Sequence, residues 1–142
     1  MIEELDCGEL GDISDYDDET LDIANQAFFA IEEEEDHEKA LELLHITALR
    51  RYSYSMDHYG VICLREKRDI KFAAECVLMA ALRGQENALE FFGKVAQRSK
   101  IVAMLSQASV DERNEWLRTG KQTESITRSI EALAETCKTK TK

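Results

Sequence analysis

Proline is absent from this 142-residue chain, and glycine occurs only six times. With nothing to lock φ or delete a backbone donor, helices can run without forced breaks. The abundance of Ala, Leu, Glu, Lys and Arg points the same way, because these residues lose little rotamer freedom in a helix. Collagen-like, proline-rich disordered and all-β architectures are disfavoured on composition. No apolar run approaches the roughly 18 residues that a membrane span needs. The opening Met1-Ile2-Glu3-Glu4-Leu5-Asp6 lacks the basic-then-apolar order of a secretory signal. Cys-x-x-Cys pairs are also missing. Cys7, Cys63, Cys76 and Cys137 are too far apart in sequence for a metal knuckle or redox motif. Cys63 and Cys76 lie among apolar neighbours and read as small buried hydrophobes, which suits a reduced, cytoplasmic setting.

Basic residues are missing from the first 38 positions, which hold 16 of the 29 acids. The other 13 acids face all 18 Lys and Arg, within a net charge of -11. An acidic arm therefore precedes a mildly basic body. The overall sign argues against binding a nucleic-acid backbone, which requires a basic patch. Such an arm can lie across a basic partner, imitate a polyanion, fold back on its own body, or only solvate the N-terminus. The expected organisation is a flexible acidic arm over 1–17, one helical domain over 18–137, and a frayed basic tail over 138–142.

Within the domain, Asp17 or Asp18 is placed to cap a first helix. Leu21, Ala24, Phe28 and Ile31 recur at helical spacing and predict its buried face. The acidic run Glu32 to Asp36 should end it, because like charges crowd there. An offset of 33 residues then aligns 36–67 with 69–100 without a gap, giving nine identities over 32 positions. The identical pairs include Asp36/Asp69, Ala40/Ala73, Ala48/Ala81, Arg50/Arg83 and Gly60/Gly93. Each unit reads as two helices, opened by Asp36 or Asp69 as N-cap. The first ends near Arg51 or Gly84, where Gly84 supplies a left-handed terminator. Gly60 and Gly93 predict close helix approach beside Tyr59 and Phe92. One such hairpin cannot bury its apolar face alone, so stacking on a neighbour follows.

Asp-x-x-x-Ala, then Ala-Leu-Arg-Gly, then Ala-x-x-Phe-Phe-Gly resembles the Sel-type helical repeat, a relative of the tetratricopeptide repeat. Ala40, Ala48, Gly60, Ala73, Ala80, Ala81, Gly84, Ala88 and Gly93 carry the match, over roughly 19–100. Arg51 departs from it, standing where the inter-helix Gly belongs, and the loops are short. A plain stack of helix hairpins is the other reading. The resemblance implies an all-α fold of stacked antiparallel hairpins, a short solenoid. It also implies that the second helix of each pair lines the concave face, making Asp57, His58, Arg65, Glu90, Lys94 and Arg98 candidate exposed contacts. Beyond Lys100 the pattern ends. Ser109 with Glu112 has capping-box spacing, Gly120 stops that helix, and Ile126, Ile130, Leu133 and Ala134 mark a last one. Residues 101–137 read as the cap that closes the stack.

Catalytic signals are scarce. His37 lies in a carboxylate run without calcium-loop or His-x-x-x-His spacing. His45 reads as a packed residue, and His58 with Cys63 has the wrong spacing for a nucleophile–base pair on one helix face. No Gly-rich phosphate loop occurs. Neither an enzyme, a cofactor nor a metal is expected. Tyr52, Tyr54, Asp57, His58 and Tyr59 form the densest polar-aromatic cluster, a composition enriched at protein interfaces; packing of Tyr59 and of the inter-helix turn is the competing account. Trp116 reads as a plug for the last helices. The expectation is a small adaptor, chaperone or regulator that binds another protein, with Tyr52 and Tyr54 among the contacts and a homodimer as one way to cover the terminal helices. The alternative is an acidic inhibitor or immunity-type protein whose arm blocks a basic site on a toxin or nucleic-acid-binding enzyme.

Overall fold

The computed structural model describes residues 17–139. The expected arm and tail therefore lie outside the described residues, apart from Asp17, Lys138 and Thr139, as does Cys7. Helices α1 (Asp18–Phe29), α2 (His37–Leu49), α3 (Ser53–Glu66), α4 (Ile70–Leu82), α5 (Glu86–Gly93), α6 (Arg98–Ser106), α7 (Val110–Thr119) and α8 (Glu124–Thr139) follow in order, with a π-helical turn Ala30–Glu34 continuing α1. No strand is found among the described residues, so the fold is all-α. α1 packs on α2, α2 on α3, and α3 on α4 and α5, while α8 returns to pack on α4, α3 and α6.

Helix α4 is the centre. Every residue from Ala73 to Leu82 is buried, as expected for a helix apolar on all sides. Its small residues admit α3 closely. A Cβ on Gly60 would lie 2.9 Å from Val77 Cγ2 and 3.0 Å from the Ala73 carbonyl oxygen. Gly93 does not repeat this role: it is the last residue of α5, and a Cβ there meets nothing within 4 Å. The second helix of the second unit is also shorter than expected. It stops at Gly93, and the chain turns before α6 begins at Arg98.

Of the N-caps expected from sequence, those at Asp17, Asp36 and Ser109 form and that at Asp69 does not. Asp17 caps α1 by accepting from the Thr20 backbone N–H at 2.9 Å, and Asp36 caps α2 by accepting from that of Lys39 at 3.1 Å. Ser109 and Glu112 form the capping box of α7. Asp69 departs from expectation: at φ 44° it makes no side-chain cap, and its carboxylate instead accepts from the Tyr59 hydroxyl at 2.8 Å. α1 departs in its buried face. Thr20, Ala24, Ala27 and Ala30 are buried, Leu21 and Phe28 only half-buried, and Ile31 exposed. Antiparallel α2 packs on the alanine stripe, so the larger side chains are turned to the flanks.

The 33-residue offset recurs in geometry. α2 and α4 begin and end 33 residues apart, and α3 and α5 begin 33 apart. Arg50 Nη1 donates to Thr20 Oγ1 at 3.0 Å, and Arg83 Nη1 donates to Ser53 Oγ at 3.0 Å. Donors and acceptors both differ by the same offset. Arg51 and Gly84 are equivalent too, each left-handed, at φ 65° and 84°. Arg51 lacks glycine's freedom there, but its side chain is placed inward. Its Nη1 stands 3.7 Å from Glu75 Oε2, whose carboxylate also accepts from Trp116 Nε1 at 2.9 Å. A Cβ on Gly120, itself at φ 83°, would overlap the same guanidinium.

Three substitutions test this packing by urea denaturation. Gly60→Ala should destabilise by about 1–2 kcal/mol, because overpacking outweighs the gain in helix propensity. Gly93→Ala, with open space, should be neutral or stabilising by up to about 1 kcal/mol. Trp116→Phe strips the buried Glu75 carboxylate of a donor and should cost about 1–3 kcal/mol.

Candidate functional site

The residues singled out for the concave face do not form one surface. Asp57 is the clearest correction. It is 2% exposed and accepts from the Ala88 backbone N–H at 2.6 Å and from Asn87 Nδ2 at 3.0 Å. Ala88 is in the first turn of α5, whose own N-cap residue Gln85 makes no side-chain cap. Asp57 therefore caps α5 from α3 and is unavailable to a partner. Burial pushes its carboxyl above the usual range, against the lowering effect of those hydrogen bonds and of His58.

His58, Tyr52 and Tyr54 do come together at the start of α3. The Tyr52 and Tyr54 rings meet edge to face with centroids 5.6 Å apart. His58 Nδ1 lies 2.9 Å from the Tyr54 carbonyl oxygen, and its ring stands on Phe28 at 5.0 Å. Tyr54 is exposed and His58 half-exposed. Arg65 and Lys94 belong elsewhere, on a groove of about 540 Å³ bounded by α3, α5 and α8. Arg98 is half-buried next to it and donates to the Val95 carbonyl at 3.3 Å. Glu90 is exposed on α5.

The other residues weighed for chemistry are held in packing, except His37, which is exposed. His45 stacks with Tyr59 and Phe72 at centroid separations of 5.3 and 5.6 Å. His37 Nε2 lies 2.8 Å from exposed Glu66. Burial pushes the Cys63 and Cys76 thiols up, which keeps the nucleophilic thiolate scarce near neutrality. Among the described residues, no three His, Cys, Asp or Glu are arranged to hold a metal ion, and no helix is long and apolar enough to cross a membrane.

One surface lies outside the sequence-based candidates. The exposed large apolar side chains of the described residues, Phe29, Ile31, Ile46, Leu49 and Tyr54, all lie between positions 29 and 54. Phe29 and Leu49 are each 55% exposed. Phe29 and Lys39 line one shallow hollow with Asp22, Asn25 and Gln26. Lys39, Glu42, Ile46 and Leu49 continue from it along one stripe of α2 by helical spacing. The same two helices and the turn between them carry the exposed carboxylates Asp22, Glu32, Glu33, Glu35, Asp36, Glu38 and Glu42. A signal was present in the sequence. α2 carries Leu41, Leu43, Leu44, Ile46 and Leu49, more apolar positions than one buried face can hold.

No family model, curated protein or solved structure matches this chain.

The capping role of Asp57 has a measurable cost. Asp57→Ala leaves the α5 N-terminus without its acceptor and should destabilise by about 2 kcal/mol in urea. The sign of the pH effect separates it from an ordinary surface acid. With a folded-state pKa above the ordinary 3.8, the folded chain binds the proton first. Stability relative to Asp57→Asn should therefore fall as pH rises from 3.8 through the raised value.

Proposed function

We propose that this protein works by binding another protein, with the outer face of α1 and α2 as its contact surface. The carrying observation is the confinement of the exposed large apolar side chains of the described residues to positions 29–54, a stretch that also carries exposed carboxylates. Apolar patches with polar rims mark interaction sites more often than bare surface. The chemistry selects a partner whose apolar side chains are flanked by Lys or Arg, such as a basic amphipathic helix laid along Phe29, Ile46 and Leu49. The exposed carboxylates of this stretch steer the encounter and discourage acidic competitors. Tyr54 and His58 extend the surface at the start of α3.

The architecture behind this surface reads as a short stack of Sel-like or tetratricopeptide-like hairpins. The displacement of α2 against α4 by 33 residues, the paired Arg50–Thr20 and Arg83–Ser53 bonds, and the shared left-handed residue all support that reading. An adaptor, chaperone or regulator role is consistent with it. The acidic-inhibitor reading draws on the 16 acids and no bases of residues 1–38; it places binding on the arm rather than on the apolar stripe.

Affinity capture with the full chain, compared with the Phe29→Asp/Leu49→Asp variant, separates the two. A partner held through the apolar face should bind at least roughly 30-fold more weakly to the variant, the loss of about 2 kcal/mol expected of a central contact. Binding that survives the substitutions but vanishes at about 0.5 M salt would favour the arm instead. Sedimentation of both forms identifies a second copy of the chain as the partner if only the parent self-associates.

A further inference from the structure

The groove bounded by α3, α5 and α8 is independent of the α1–α2 face. Phe91, Val95, Ala96 and Cys137 supply apolar lining, and Arg65 and Lys94 are its two cations. Arg50, Arg51, Arg68, Lys71, Arg118 and Lys138 each meet a carboxylate; Arg65 and Lys94, like Arg98, Lys100, Lys121 and Arg128, meet none among the described residues, and Arg65 and Lys94 are the two of these that line an apolar groove together. In a chain with 29 acids against 18 basic residues, two uncompensated cations beside apolar lining call for an anionic, partly apolar occupant.

The chain carries a segment of that chemistry. Residues 1–7 contain Ile2 and Leu5 between Glu3, Glu4 and Asp6, with no Lys or Arg. The reach is sufficient. α1 starts beside the first turn of α3, where Arg50 Nη1 holds Glu19 at 3.1 Å just ahead of Ser53. Arg65 lies about 18 Å further along α3 at 1.5 Å per residue, and one helix width adds about 10 Å. Residues 8–16 span about 30 Å when extended, which delivers residues 1–7 to the groove. Tethering also sets an effective concentration in the millimolar range, so a weak contact is populated.

We propose that this groove seats the chain's own N-terminal segment, with Ile2 and Leu5 against Phe91 and Val95, and Glu3, Glu4 and Asp6 beside Arg65 and Lys94. The contact makes the acidic segment an internal competitor for any acidic peptide that enters the groove. It also gives residues 1–7 a place on the basic body.

Carbodiimide coupling of the full chain tests this directly, since it joins Lys94 only to a carboxylate already in contact. An equal mixture of ¹⁴N- and ¹⁵N-labelled chains distinguishes links within one chain from links between two. The expected product joins Lys94 to Glu3, Glu4 or Asp6 within one chain, with a yield that falls about fivefold in 0.5 M salt and likewise in Arg65→Glu. Lys94 coupled only to body carboxylates such as Glu90, or links joining light to heavy chains, would overturn the proposal, the latter in favour of a second copy. The amide resonances of Val95 and Ala96 supply a readout that needs no coupling. They should shift in the full-length Glu3→Gln/Glu4→Gln/Asp6→Asn variant, and unchanged positions would also overturn the assignment.

Discussion

A single buried carboxylate governs the arrangement of the helices. Glu75 sits in the middle of α4, where every neighbour along the helix is apolar or small, and it is buried. An ion taken out of water there costs several kcal/mol unless donors come to it. One hydrogen-bond donor and one opposite charge come from distant parts of the chain: Trp116 of α7, whose Nε1 donates at 2.9 Å, and Arg51 of the α2–α3 turn, whose guanidinium stands 3.7 Å away as an ion-pair partner. Shifting α7 by one residue against α4 would carry the indole N–H away and leave the carboxylate without its donor. Buried polar groups of this kind specify one arrangement more than they add stability, and here the specified arrangement is the position of α7 on α4.

The same ion explains a left-handed arginine. In the second unit Gly84 takes the positive φ that ends α4, and glycine does so at no steric cost. In the first unit Arg51 takes it, although a side chain disfavours that region. The turn then points the guanidinium at Glu75 and over Gly120, which has no Cβ to obstruct it. Arg83 strengthens the same corner, donating to the Arg51 carbonyl at 2.8 Å and to the Leu117 carbonyl at 2.6 Å. Backbone strain at Arg51 is thus offset by a corner in which two hairpins and α7 meet.

These features show what sequence could and could not disclose. Helix starts at Asp17, Asp36 and Ser109 were legible because a cap acts over three residues. The offset of 33 was legible because it repeats a local pattern. The fate of Gly93 was not, since open space beside a glycine depends on how α5 ends and α6 turns away. Asp57 was misread for a related reason. A carboxylate on a helix face looks solvated until another helix, thirty residues later, presents N–H groups that lack a cap of their own. Long-range capping leaves no local signature. The exposed stripe Phe29, Ile46 and Leu49 was only half visible: excess apolar residues on α2 can be counted, but which of them faces water depends on where α1 and α3 pack.

Charge is partitioned by the same logic of unfilled positions. Most arginines serve the interior corners or meet nearby carboxylates, as Arg68 does with Glu38 and Glu66. Those carboxyls are held below the usual range chiefly by hydrogen bonds, from Arg68 to Glu38 and from His37 to Glu66. The outer helices α1 and α2 keep other carboxylates, such as Asp22 and Glu42, exposed on the helices that carry the apolar stripe. The groove at the far end of α3 keeps Arg65 and Lys94 beside apolar side chains. The molecule therefore presents two surfaces of opposite electrical character, each apolar at its centre. The proposed acidic occupant matches the second by charge, and the proposed basic amphipathic partner matches the first. Under the two proposals, ligands of opposite charge address different side chains of one small all-helical body.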